Sequence, residues 1–301
     1  MAGVAGYSCS SNDLPEREQV ELIVSIHQDK STRVNMAGNA FEANDEFQIY
    51  FGSDKPISTA GAGQVISNYK YQSSQWSVSS GVSIYWDDQS KVLNDFCAVM
   101  PFVGYDISDQ TYFVETDQST DANYKKSDLL IALTRTAGRL VPITFYHVYH
   151  RLIVNFTDPG SDFDMPFTYD ELSLTIPSKG KLTYDGSAPS GPLLVSATAE
   201  ATPVSTVKMY KNTTDNYFTA IFPPQTIAKD TKLLTIVVTE NGTKKTYNYK
   251  VDATGGLVFK QGEQTTLTLK LKKTELVLND ISVQEWGGRP AGNSGGTIKL
   301  D

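Results

Sequence analysis

At 301 residues the chain exceeds one average β-sandwich, so two domains are expected. Its 40% hydrophobic and 20% charged residues are the balance of a folded globular protein and exclude a disordered tail. A net charge of −8, with basic residues adjacent only in the pairs Lys125-Lys126, Lys244-Lys245 and Lys272-Lys273, excludes a nucleic-acid surface.

Residues 1–16 read as a lipoprotein-like segment. Met1 to Cys9 is small and apolar, and Ser10-Ser11-Asn12-Asp13 then turns polar. That is how a bacterial lipoprotein signal ends, with Cys9 as the lipid acceptor and no need of a spanning helix. The segment also departs from the pattern. It lacks a basic start, its apolar run is shorter than the usual ~7–15 residues, and Tyr7 stands where a small residue is normal. Two alternatives stay open: a start farther upstream, or Cys9 as an ordinary cysteine. No stretch approaches the roughly 18 apolar residues that cross a bilayer.

Strand signals then dominate. Val20, Leu22, Val24 and Ile26 alternate with Glu21, Ile23 and Ser25, which predicts a half-buried strand with the even positions inward. A polar loop, Gln28-Asp29-Lys30-Ser31-Thr32-Arg33, follows. Short aromatic blocks come next: Phe47-Gln48-Ile49-Tyr50-Phe51, Ile84-Tyr85-Trp86 and Asp95-Phe96-Cys97-Ala98-Val99-Met100-Pro101-Phe102. Cys97 reads as a small core hydrophobe, and a bridge to Cys9 is disfavoured because it would tie down a chain terminus. Helical spacing is nearly absent, and only residues 122–133 could hold a turn or two. Arg135-Thr136-Ala137-Gly138-Arg139 is polar and glycine-bearing, which places a domain boundary near Gly138 and gives units 17–138 and 139–301.

In the second unit, a strand through His147 opens the series. Pro223-Pro224 stops a ladder, since proline has no N–H to donate. Asn241-Gly242 between two β-rich runs predicts a tight hairpin, because both turn positions need positive φ. Leu267, Leu269 and Leu271 alternate with polar residues, the clearest period-2 pattern in the chain. Residues 287–296 are glycine-rich and flexible by composition. They separate a strand-like stretch with Ile281 and Val283 from an apolar end with Ile298 and Leu300. The fold class expected is all-β: two tandem antiparallel, Greek-key β-sandwiches.

Chemistry is sparse. His147 and His150, three apart on a strand, would face opposite sides and could not share a metal ion. No nucleophile elbow, zinc-protease or phosphate-loop motif occurs. Asp87-Asp88 beside Trp86 read better as a turn than as a glycosidase pair. The acidic stretch from Asp158 to Asp164 lacks the ligand spacing of a calcium loop. No catalytic residue, metal or cofactor is expected.

The order and wording of the aromatic blocks resemble the fimbrillin-like (Mfa-like) proteins of Bacteroidetes, subunits of short surface pili. Thr32-Arg33 followed by Phe41-Glu42-Ala43-Asn44-Asp45-Glu46-Phe47-Gln48-Ile49-Tyr50 carries the likeness, which runs nearly end to end. The resemblance implies two transthyretin-like domains, export to the outer membrane and lipidation at Cys9. It also implies a trypsin-like cut at Arg33, which frees the strand of Val20, Leu22, Val24 and Ile26. A neighbour's C-terminal segment, with Ile281, Val283, Ile298 and Leu300, would then fill the groove by β-augmentation. Partners would be other pilus subunits, with host or bacterial surface receptors or glycans beyond them. The rival reading is a non-polymerising surface lipoprotein that binds glycans through tyrosine and tryptophan.

Overall fold

A computed structural model describes residues 21–26, 41–53, 65–81, 94–103, 105–106, 109–137, 140–158, 160, 163–185 and 194–286. The first strands are β1 (Glu21–Ile26), β2 (Glu46–Ser53), β3 (Val65–Gln72), β4 (Gln75–Gly81), β5 (Asn94–Met100), β6 (Tyr105–Asp106) and β7 (Thr111–Phe113). A helix, α1 (Asp121–Lys126), leads into β8 (Leu130–Thr136), β9 (Leu140–His147), β10 (His150–Phe156), β11 (Phe167–Pro177) and β12 (Lys179–Asp185). Then come β13 (Leu194–Ala199), β14 (Val204–Lys208), β15 (Tyr210–Asn212), β16 (Tyr217–Phe222) and β17 (Gln225–Ile227). The last are β18 (Lys232–Glu240), β19 (Thr243–Lys250), β20 (Leu257–Phe259), β21 (Glu263–Leu271) and β22 (Leu276–Glu285). The described residues are all-β but for α1. That helix starts where the Thr120 side chain accepts from the Asn123 amide, and Asp121 and Lys125-Lys126 suit the two ends of its dipole.

Alternation builds the layers. In β2, β5 and β8 one set of side chains (Phe47, Ile49, Phe96, Ala98, Ala132) faces a first core, shared with Val141, Ile143 and Phe145 of β9. These strands belong to a seven-stranded sheet of order β1-β9-β8-β5-β2-β3-β4. Phe47 and Phe145 lie 5.4 Å apart although β5 and β8 separate their strands. A flat sheet would hold them about 14 Å apart, at ~4.8 Å per strand. The sheet therefore curls, and the aromatic rings fill its hollow.

The other set (Tyr50, Cys97, Val99, Ile131) packs on the sheet β13-β12-β7-β6 through Tyr112, Leu182, Tyr184 and Ala197. Burial pushes the Cys97 thiol up to about 12, so it is an inert core group, and Cys97 is free. The third core lies between the sheets β15-β16-β10-β21-β22 and β14-β11-β18-β19 and includes Leu152, Leu172, Leu174, Ile236, Leu267 and Leu269.

Two details differ from a pair of purely antiparallel units. The pairings β1–β9 and β10–β21 are parallel. Hydrogen bonding also crosses the division drawn at Gly138: β9 joins β8 and β1, and β12 joins β7. The first core ends at Phe145 and the third begins at Leu152, while Val148 and Tyr149 belong to the second core, which draws on both halves. Tyr149, fully buried there, donates its hydroxyl to the Tyr112 carbonyl at 2.8 Å. Its ring lies against Gly180, where a Cβ would stand 2.7 Å from Tyr149 Cζ. A side chain at that position of β12 would have to displace the Tyr149 ring.

The hairpin forms as its sequence dictates. Asn241 and Gly242 adopt φ of 45° and 76°, and Glu240 pairs with Thr243. Leu267, Leu269 and Leu271 are fully buried.

Candidate functional site: the first strand and the root of the C-terminal segment

Among the described residues β1 is an edge strand whose only partner is β9. Its alternation is legible in its exposure: Leu22 and Val24 are half-buried and Ile26 is buried, while Glu21, Ile23 and Ser25 face outward. On the outer face Ser25 Oγ and Thr144 Oγ1 share a hydrogen bond of 3.2 Å. Leu22, Val24 and Ile26 lie against the first core, whose nearest strand contributes Val141, Ile143 and Phe145. The Phe145 ring in turn meets Phe41 at 6.4 Å. β1 thus covers one side of an aromatic-lined hollow, held by one parallel pairing and three partly inserted side chains. Val20, Arg33 and Cys9 lie outside the described residues, as do Asp87 and Asp88.

β9, the strand that receives β1, ends on His147. Its Nδ1 lies 2.7 Å from Asp128 Oδ1, and its ring stacks on Trp286 at 4.0 Å with the planes 17° apart. Trp286 is only 2% exposed, its amide donates to the Gly262 carbonyl at 2.6 Å, and the Arg151 guanidinium sits 5.6 Å from its ring. The accepting edge and the root of the C-terminal segment are therefore joined through two stacked rings. The composition of the chain gave no notice of this contact. Its one local signal is a tryptophan closing an alternating strand just before a glycine run.

The rule of opposite faces does not apply to the two histidines, because the chain turns at Val148-Tyr149 and sets them on different strands. His150 is fully buried against Phe222 and Phe259, with Nδ1 2.8 Å from the Lys260 carbonyl oxygen. Burial pushes its imidazole down to about 4, so it is neutral. Ile281 and Val283 lie in β22 opposite Leu267 and Thr265, and Ile281 is buried in the third core. Ile298 and Leu300 lie outside the described residues.

Among the described residues no three His, Cys, Asp or Glu side chains are grouped to hold a metal ion. In the acidic loop, Asp158 Oδ1 accepts the Gly160 amide and the Asp164 amide donates to Glu240 Oε1. Trp76 packs on Phe41 at 4.9 Å and Phe47 at 4.7 Å, so it and Trp286 are both spent on packing. No described helix is long and apolar enough to cross a membrane.

The sequence profile of fimbrillin-like proteins matches residues 32–286. The chain belongs to the fimbrillin-like family. Among solved structures, a candidate cell adhesion protein of Bacteroides uniformis is 17% identical with a TM-score of 0.59, over 90% of this chain and 98% of that one. A second, from Bacteroides ovatus, is 12% identical with a TM-score of 0.53 over the same shares. These likenesses show a shared fold. No curated protein matches the chain. The family match starts next to Arg33 and ends on Trp286, so β1 and the segment after Trp286 both lie outside it.

Proposed function

We propose that this fimbrillin-like chain is a structural or adhesive subunit of a cell-surface pilus, joined to other subunits by β-strand exchange. The observation that carries the reading is the placement of β1. Among the described residues it lies at a sheet edge, pairs with one strand only, and covers an aromatic hollow with alternate side chains. An edge strand's unpaired groups are a template for another chain, and removing β1 hands that role to β9.

In this mechanism, hydrolysis of the Arg33–Val34 bond severs β1 from the body of the protein. Three apolar side chains leave with it. Full burial of each is worth roughly 1.5–3 kcal/mol, and Leu22 and Val24 are only half-buried. The vacated edge loses several kcal/mol of cover, enough to favour a replacement strand of matching alternation. Ile298 and Leu300 of a neighbour supply that alternation without dismantling a sheet. Ile281 and Val283 are already paired in β22 and form the root from which the donor extends. Lipid on Cys9 would hold the exported subunit at the outer membrane until the cut, and no catalysis is part of its work.

Purified protein treated with trypsin at low dose tests this. A ladder of polymers that resists mild denaturation is the expected result, and Arg33→Ala should abolish it. Monomers that stay intact, or that degrade without laddering, would overturn strand exchange.

A further inference from the structure

Pairing with β9 does not by itself fix where a strand stops along that edge. Backbone bonds repeat every two residues, so a slip of two keeps the ladder and leaves the same side chains facing inward. The proline in β9 does not interrupt this repeat. Its carbonyl accepts the Thr134 hydroxyl of β8, so the side of Pro142 that lacks an N–H is turned away from β1. The groups turned toward β1 belong to Val141, Ile143 and Phe145.

What differs along the edge is depth. In register, Leu22 stands beside Val141, Val24 beside Ile143 and Ile26 beside Phe145. Leu22 and Val24 are half-buried, whereas Ile26 is 8% exposed. The surroundings of Phe145 supply the reason. Its ring meets Phe47 at 5.4 Å and Phe41 at 6.4 Å, and Phe41 meets Trp76 at 4.9 Å and Tyr71 at 5.7 Å. Aromatic rings therefore close the hollow at its Phe145 end. This wall is fastened without help from β1. Next to Phe41, the Glu42 amide donates to Asp45 Oδ2 at 2.8 Å, the Asn44 amide donates to the Tyr71 carbonyl at 2.9 Å, and Lys125 of α1 holds Glu42 at 2.9 Å.

We infer that the place of Ile26 is the slot that sets register on this edge. A strand that pairs with β9 is positioned by one bulky aliphatic side chain seated at Phe145, and its other inward positions are tolerant. Backbone bonds give such a strand its affinity, and the deep slot gives it its specificity. The partner selected runs parallel to β9, carries a large aliphatic residue at the slot, and accepts smaller apolar residues two and four places earlier. For a neighbour's strand the assignment rests on the strand-exchange reading; for β1 it holds in the chain as it stands.

Hydrogen exchange in the intact chain probes the slot without any cut. Ile26→Ala and Leu22→Ala remove the same number of carbons, so a difference between them reports position. Ile26→Ala should speed exchange of the β1 amides bonded to β9 by about 30-fold or more, the lower end for a buried aliphatic cut back to alanine, and Leu22→Ala by less. Phe41→Leu should shrink the Ile26→Ala effect and leave that of Leu22→Ala unchanged. Equal effects of the two alanines, or a Phe41→Leu background that alters neither, would overturn the slot.

The second arm uses full-length protein cut by low-dose trypsin and a labelled peptide of residues 19–27, which holds no lysine or arginine. The peptide should be captured, and Ile26→Ala should weaken its capture by about 30-fold or more. Adding Val24→Ile to that peptide should restore capture two residues out of register, so that a spin label on its first residue broadens β9 amides two positions nearer Phe145. Restored capture in the parent register would overturn the slot. If the parent peptide is not captured while the intact-chain results hold, strand exchange fails and the slot stands for β1 alone.

Discussion

β1 runs six residues in parallel with β9, and its inward side chains are mostly half-buried. β22 runs ten residues antiparallel to β21 and closes on a tryptophan that is 2% exposed. Among the described residues both are edge strands, and an edge strand offers unpaired backbone groups to another chain. They differ in what removal would disturb. Peeling β1 uncovers one side of a curled sheet whose aromatic rings also pack on each other. Peeling β22 strips Ile281 from the third core and pulls Trp286 from between His147 and Arg151. The strand-exchange proposal needs one edge that can leave and one that stays, and the shallow burial of β1 beside the anchored end of β22 supports that division.

The largest way to break that comparison is Trp286→Ala. Emptying a buried tryptophan site typically costs about 3–5 kcal/mol, and equilibrium urea unfolding should show a loss in that range. A loss under ~1 kcal/mol would mean that β22 is no better anchored than β1. Acid should act on the same half of the molecule. His150 is held at about 4 in the folded protein against roughly 6.5 unfolded, so the unfolded chain binds its proton first. Stability from this group is complete above pH ~6.5, falls as pH drops toward 4, and levels off below that, a total of about 3 kcal/mol. His150→Asn, which keeps a donor near the Lys260 carbonyl, should remove about one proton from the slope of stability against pH over that window. An unchanged slope would place the acid sensitivity elsewhere.

The junction between the two regions gives a third, smaller test. Gly180→Ala puts a methyl into the Tyr149 ring, whose hydroxyl is fixed on Tyr112. Overpacking of this kind costs roughly 1–3 kcal/mol. The companion change Tyr149→Phe should cost less, since it removes one hydrogen bond and no volume. If Gly180→Ala proves harmless, the two halves are less tightly seated at Tyr149 than the close approach implies.

What could be read in the sequence was local. The inward set of β1, the Asn241-Gly242 turn and the leucines of β21 each follow from a period of two or from the φ a turn demands. The seating of Trp286 on His147 could not be read, because the two residues lie 139 positions apart in the chain and share no pattern. The pairing of β12 with β7 was hidden for the same reason, and so was the interleaving of the halves across Gly138. A three-residue spacing misled for the two histidines because the rule of opposite faces holds only within one strand, and the chain turns between them. Of the candidate site, the slot-filling face of β1 was legible; the anchor that opposes it was not.

The smallest effect bears most directly on β1, because it compares adjacent positions of one strand. Leu22 is half-buried against the first core, whereas Ile23 is 53% exposed on the outer face opposite Pro142. Leu22→Ala should lower stability by about 1–2 kcal/mol, below the ~2–5 kcal/mol of a fully buried leucine, because part of its surface is already wet. After the Arg33 cut, the same change should speed polymer growth, since the departing strand then loses less cover. Ile23→Thr keeps a β-branched residue on the exposed face, and surface changes of that sort stay within about 0.5 kcal/mol. Its polymerisation rate should match that of the parent. If the two substitutions act alike in both assays, the inward side chains of β1 do not govern its release, and the hydrogen bonds to β9 alone set how readily the edge opens.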